Sequence, residues 1–307
     1  MRRTNYTINM NLRKILYFPL YIYLKLHALM PLNVLYILAD ILFFPLYYII
    51  RYRRKLIREN LSASFPEKSK SEIVSLEKKF YRHFCDYIVE TIKLMHISDE
   101  EMKRRMVFTN AEMVQEFLDN GQSCIMLLGH YGNWEWVPSV SLWLPKHKYI
   151  LSQIYRPLKN KWFDDFFLQL RSRFGSRSIA KQDTLRTILS FRASGKPSIT
   201  GFIADQTPSP ANIHFRTAFL GRKDTAILTG AEKIARKTGF VVVYLDVECP
   251  KRGYYTATYK LISDTSQNTK EFEITTKYTE EMEKTILRAP QYWLWTHNRW
   301  KHNLPES

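Results

Sequence analysis

Cysteine is scarce in this 307-residue chain, and Cys85, Cys124 and Cys249 are far apart with no C-x-x-C pairing. A disulfide framework and a cysteine-based zinc site are both unsupported, and a reducing compartment suits the core. The chain has no G-x-S-x-G element, which argues against hydrolysis through a nucleophilic serine. It has no internal repeat, low-complexity tract or flexible interdomain linker. No small-residue A-x-A site follows its apolar N-terminal region, so a cleaved secretory signal is disfavoured. Acidic residues are in deficit: 29 Asp and Glu against 46 Lys and Arg give a formal net charge of +17. Such an excess implies an anionic partner, for which nucleic acid, an anionic lipid surface and an acidic carrier protein are the candidates. No nucleic-acid recognition motif accompanies the charge, which disfavours the first.

What is present starts with a long apolar, aromatic stretch from Ile15 to Ile50, interrupted by Lys25, His27, Pro31, Asp40 and Pro45. Two helices broken near Pro31 fit it best. The second, Leu32 to Ile50, has roughly the 20-residue length needed to cross a bilayer. Asp40 near its middle is costly in lipid and is expected to face protein or water. Tyrosines at its ends and the run Arg51-Tyr-Arg-Arg-Lys55 read as an interfacial belt with a cytoplasmic basic flank. Residues 1–58 are therefore expected to form an uncleaved membrane anchor; the competing reading is a buried helical hairpin.

Residues 59–307 read as one α/β domain with a helical lead-in. Ser71 opens a helix whose apolar positions Leu76, Phe80, Phe84, Tyr87, Ile88 and Ile92 recur at helical spacing, and Ala111 to Leu118 is a second short helix. Strand-like and helical stretches then alternate through Tyr149 to Tyr155, Trp162 to Arg171, Leu185 to Phe191, Ser198 to Ile203, Ala226 to Lys237 and Val241 to Val247. Tyr254 to Ile262 adds a strand and Phe272 to Leu287 a final helix. This alternation predicts an α/β core.

His130 ends the apolar run Cys124-Ile-Met-Leu-Leu-Gly129 and is followed by Tyr-Gly-Asn-Trp-Glu135. A strand ending in a tight turn delivers an imidazole to the rim of a sheet, where α/β folds place their ligands. Residues five apart on a continuous helix point about 140° away from each other. If Gly132 breaks the geometry and Asn133 opens a helix, Glu135 can reach back and orient His130 as a general base. With 8 His and 29 acids in 307 residues, an H-x4-E match arises by chance about once. His96 and Glu101 are such a match, set in an acidic helix start with no strand before it. Further polar groups follow strands at Tyr155-Arg156-Pro157 and Asp205-Gln206-Thr207-Pro208. Asn133, Arg156, Asp205 and Gln206 are the candidate substrate-binding residues. No metal or cofactor is called for.

Taken in order, several blocks resemble the bacterial late acyltransferases of lipid A biosynthesis, related to glycerolipid acyltransferases. They are the hydrophobic N-terminus, Asn60-Leu61 with Phe65-Pro66-Glu67, His130-x4-Glu135, Tyr155-Arg156-Pro157, Asp205-Gln206, and the terminal Pro290-Gln-Tyr-Trp-Leu-Trp-x-His297-x-Arg299-Trp-Lys301. The resemblance covers almost the whole chain. It implies a mixed sheet flanked by helices, and transfer of a fatty acyl group from an acyl carrier protein thioester to a hydroxyl of a lipid A precursor. The reaction would take place at the cytoplasmic face of the bacterial inner membrane. By position it makes His130 the base, Glu135 its orienting acid, and Arg156 a ligand for phosphate or for the tetrahedral oxyanion; Asp205 and Gln206 would shape the site. His297 is expected to be structural, and the many tryptophans are equally explained as core packing. Two other functions compete: acyl transfer to another envelope lipid, and a non-catalytic basic membrane-binding scaffold.

Overall fold

The computed structural model describes residues 2–145 and 147–302, with side chains from Leu16 onward. Helices α1 (Arg2–Leu29), α2 (Leu32–Phe44), α3 (Arg54–Ser64), α4 (Lys70–Lys93) and α5 (Asp99–Arg105) precede β1 (Met106–Thr109), α6 (Ala111–Asp119) and β2 (Cys124–Leu128). After a 3-10 segment at Trp134–Leu142 come β3 (Ile150–Tyr155), α7 (Lys161–Ser172), β4 (Arg177–Ala180), α8 (Thr184–Ala193) and β5 (Ser198–Ile203). The hairpin β6 (Arg216–Phe219) and β7 (Arg222–Ala226), α9 (Gly230–Thr238), β8 (Val241–Lys251), β9 (Tyr254–Ser263) and α10 (Glu273–Arg288) follow.

Seven strands form one sheet in the order β1-β9-β8-β2-β5-β3-β4. The five from β8 to β4 run parallel, whereas β9 runs antiparallel to β8 and carries β1 parallel to itself. The sheet is therefore mixed, with helices against it. β2 is buried at all five positions, as a central parallel strand covered on both faces must be. β9 alternates between buried and half-buried residues over most of its length, as an edge-side strand does. Ala226 was expected to open a helix; it instead pairs with Arg216 in the β6–β7 hairpin, and the helix starts at Gly230.

The N-terminal helices are continuous with this body. Leu35, Ala39, Phe43 and Tyr47 recur every four residues, are buried, and join the main core cluster. Tyr47 meets Tyr81 of α4 edge-on at 5.1 Å, and the Arg82 guanidinium lies over Phe43. The opposite face of the same 19-residue apolar helical stretch, Leu32–Ile50, leaves Val34, Ile37, Ile41 and Phe44 exposed. Asp40 is solvent-exposed, and its carboxylate pairs with Arg252 from the β8–β9 turn, which also holds Asp86 of α4. Lys93 caps the break before α2 by donating to the Ala28 and Met30 carbonyls. Not all of the expected basic flank is free, because Arg53 donates to the Thr296 carbonyl and Arg54 pairs with Glu77.

α4 is the element that joins the hairpin to the sheet. Ser69 and Glu72 form a reciprocal capping box at its start. Its residues His83, Tyr87 and Glu90, spaced four and three apart, share one face. Glu90 is fully buried, and its carboxylate accepts from Tyr36 of α2, Tyr255 of β9 and the amide of Asn133. Burial outweighs those donors and pushes its pKa up to about 7. The folded protein therefore holds a proton on Glu90 between the ordinary carboxylate range and pH 7 that the unfolded chain has released. Stability from this group must fall as pH rises through that window, by at most about 1.4 kcal/mol per pH unit. Glu90→Gln removes the titration, so the melting-temperature advantage of wild type over this variant should shrink from pH 5 to pH 7; a constant difference would contradict the buried-carboxyl assignment.

Candidate active site

Two neighbouring parallel strands build the centre of the site. β2 and β5 are paired with Leu128 opposite Ile203, so two more residues on each chain bring His130 beside Asp205. Adjacent strands lie about 4.8 Å apart, close enough for the two side chains to bond directly. The His130 Nδ1 lies 2.7 Å from Asp205 Oδ1, and the His130 backbone N–H donates to Asp205 Oδ2 at 2.8 Å. Gly129 leaves room between strand and histidine: a Cβ there would run into the Met282 side chain of α10 and lie 3.2 Å from Asp205 Oδ2.

A third donor comes from the C-terminal segment. Tyr131 and Trp293 form an antiparallel bridge, with Gly132 N–H donating to the Tyr292 carbonyl and Leu294 N–H to the His130 carbonyl. That short pairing carries the Trp293 indole N–H to within 2.8 Å of Asp205 Oδ2. Asp205 is buried, which by itself raises its pKa, but the charge of the His130 ring and the three N–H donors outweigh burial and hold it down at about 2. An ionised Asp205 accepts a hydrogen bond from Nδ1–H and so keeps the proton on Nδ1, leaving Nε2 as the basic nitrogen. The Gln206 amide sits 3.3 Å from that Nε2 and donates to it.

The turn after His130 is gripped by the α4 face. Gly132 adopts φ +59°, a left-handed conformation that breaks the geometry between His130 and Glu135. His83 donates to the Gly132 carbonyl at 3.2 Å, and burial drives its own pKa down to about 4, keeping it neutral. Tyr87 stacks on Trp134, which in turn presents its edge to His130.

The contact expected between Glu135 and His130 is not made. Glu135 lies in the first turn of the 3-10 segment as anticipated, but its buried carboxylate is bidentate with Arg171 of α7, at 2.8 and 2.6 Å. The carboxylate hydrogen-bonded to His130 is that of Asp205. Asn133, expected to touch substrate, is buried with its amide on Glu90. Arg156 is exposed at the end of β3, and with Arg171 and Lys181 it lines a cavity of about 470 Å³ that also includes His130, Glu135 and Gln206. His297 has a positioning part: its Nε2 accepts from the Thr207 backbone N–H, beside Gln206, and burial lowers its pKa to about 4. Asn60 holds the same C-terminal stretch through the Trp295 and His297 carbonyls.

Sequence reasoning missed Trp293 as a site residue, Arg171, and the His83–Glu90 face. The spacing of His83, Tyr87 and Glu90 on one helical stripe was a usable signal; nothing local to Arg171 marked it. Removing one partner of the Glu135–Arg171 pair leaves a largely desolvated charge, so Glu135→Gln should cost about 2–4 kcal/mol by denaturant unfolding. The double variant Glu135→Gln/Arg171→Met should cost less than the two single changes added, and strict additivity would contradict the pairing.

Residues 7–302 match the family model described as bacterial lipid A biosynthesis acyltransferase. Among curated proteins, no match was found. The match spans the N-terminal helices, the whole sheet and the C-terminal tryptophan segment, so the site and its supports lie within one family pattern. The chain belongs to the bacterial lipid A biosynthesis acyltransferase family.

Proposed function

We propose that this acyltransferase moves a fatty acyl group from an acyl carrier protein thioester to a hydroxyl of a lipid A precursor, with His130 as general base. The observation that carries this reading is the His130–Asp205 pair at 2.7 Å, which turns Nε2 toward the cavity side of the ring, next to Gln206. The acceptor hydroxyl replaces the Gln206 amide at Nε2 and loses its proton as its oxygen attacks the thioester carbonyl. The tetrahedral oxyanion then collapses, the C–S bond breaks, and the departing sulfur takes the proton from the imidazolium. Asp205 stays ionised throughout and stabilises that imidazolium.

A thioester is already activated, so the enzyme has mainly to align the hydroxyl and stabilise negative charge. Arg156 and Lys181 supply positive charge at the cavity, whereas the charge of Arg171 is matched by Glu135. Glu135 fixes the direction of the Arg171 guanidinium, which gives the H-x4-E pattern a use other than a catalytic dyad. Lipid A precursors carry phosphates, which suit the exposed Arg156 and Lys181.

The acceptor is a lipid, and the exposed apolar face of α1 and α2 gives the protein a means of meeting it. Because the other face of α2 packs along α4, lipid does not surround the helix; the hairpin lies along the surface of the bacterial inner membrane, with the site on the cytoplasmic side.

Mass spectrometry of the lipid product tests the chemistry. With acyl carrier protein thioester and a lipid A precursor, wild type should add one acyl group, His130→Ala should be inactive, and Asp205→Asn should lose roughly 10³–10⁴ in kcat. Full activity in folded Asp205→Asn would remove the dyad. Membrane docking has a separate readout: Ile37→Glu/Ile41→Glu should lower flotation with anionic phospholipid vesicles while leaving stability within about 0.5 kcal/mol. Unchanged flotation would overturn the in-plane arrangement.

A further inference from the structure

The cavity beside His130 runs down one face of the sheet, and strand register fixes what lines it at each level. Below His130 and Asp205 the first row is Leu128 with Ile203. The next is Met126, Gly201 and Gln153, which are in register across β2, β5 and β3. Ile199 and Leu151, also in register, form the deepest row of the lining. Val137, Pro138 and Val140 of the 3-10 segment supply further apolar lining. Six residues separate the His130 level from the Ile199 level, about 20 Å at the rise of a parallel strand, a depth that takes an extended acyl chain of roughly a dozen to sixteen carbons.

The middle row has no side chain on β5, because residue 201 is glycine. A Cβ built on Gly201 lies 3.2 Å from Met126 Cε and 3.8 Å from Gln153 Cβ, so a side chain there takes cavity space directly or through the displaced methionine methyl. Gly201 does not have the left-handed backbone that would make a substitution strained, and its nearest neighbour is the far end of a flexible side chain.

We infer that this apolar branch holds the transferred acyl chain, and that Gly201 and Met126 together set the chain length the enzyme accepts. The inference rests on the acyl-transfer reading above. The carbonyl carbon sits under His130 Nε2 and the alkyl tail descends past Gly201 toward Ile199 and Leu151. Each methylene that no longer fits costs binding in the transition state, and one methylene in a hydrophobic pocket is worth roughly tenfold or more.

Full-length enzyme would be given acyl carrier protein loaded with saturated chains from about 8 to about 18 carbons, and kcat/KM measured for each. Gly201→Val should move the optimum to shorter chains, with roughly tenfold or greater loss on the chain wild type prefers. Met126→Ala should move it to longer chains, and melting curves identify any variant that has failed to fold. Because Gly201→Ala is the mildest filling, it keeps the test available if the valine variant unfolds, with a smaller shift in the same direction. An unchanged chain-length profile in folded variants, or a change in acceptor KM without a change in donor profile, overturns the assignment. Absence of acyl transfer by wild type with every donor would instead overturn the proposed reaction itself.

Discussion

The register between β2 and β5 is the constraint from which the site follows. Parallel pairing with Leu128 opposite Ile203 leaves His130 and Asp205 at the same height on neighbouring chains, beyond the last ladder bonds of their strands. No loop search is needed to bring them together; a slip of one residue on either strand would turn one side chain to the opposite face. The same register also lines up Met126 with Gly201 beneath them, so catalytic geometry and cavity shape are set by one pairing.

A buried carboxylate at that position needs compensation, since an ionised group without partners in a desolvated site is strongly unfavourable. Compensation comes from two different distances along the chain. The His130 backbone and ring supply two N–H groups from 75 residues before Asp205, and Trp293 supplies the third from 88 residues after it. The buried and half-buried tryptophans are more than packing. Trp293 bonds Asp205, Trp136 donates to the Glu90 carbonyl, Trp295 to the Pro290 carbonyl, and Trp300 to the Thr225 hydroxyl. Each indole N–H has a partner, as buried tryptophans require.

Strongly apolar, regularly spaced segments were legible from sequence: β2, β3, β5 and β9 fall within a residue or so of their expected bounds, because buried strands leave an unmistakable apolar run. The four-residue strands β1 and β4 and the β6–β7 hairpin were not, since short edge elements with charged residues such as Arg177, Arg216 and Asp224 carry little periodicity. At the site, His130 was legible by its position after a strand, and Gly132 by the turn it had to make. The partner was assigned to Glu135 because it is near in sequence. Asp205 lies 75 residues away, and only strand order makes it a neighbour. Glu135 turned to Arg171 because the 3-10 segment points it toward α7, and a guanidinium fork matches a carboxylate in two parallel bonds.

The N-terminal helices bear on the chemistry through α4. Tyr36 in α2 and Asn133 in the His130 turn meet the same buried carboxyl, Glu90, while His83, two turns earlier on α4, holds the Gly132 carbonyl. The apolar hairpin and the turn after His130 are thus tied to the same carboxyl on one helix. In the proposed reaction, the surface that would meet lipid and the histidine that would meet a lipid hydroxyl therefore keep a constant separation and orientation. General-base catalysis demands that constancy, because proton transfer requires hydrogen-bond distance between base and hydroxyl. On the proposed reading, a freely hinged anchor would hold the enzyme at the membrane without aiming Nε2, whereas one packed along α4 would do both.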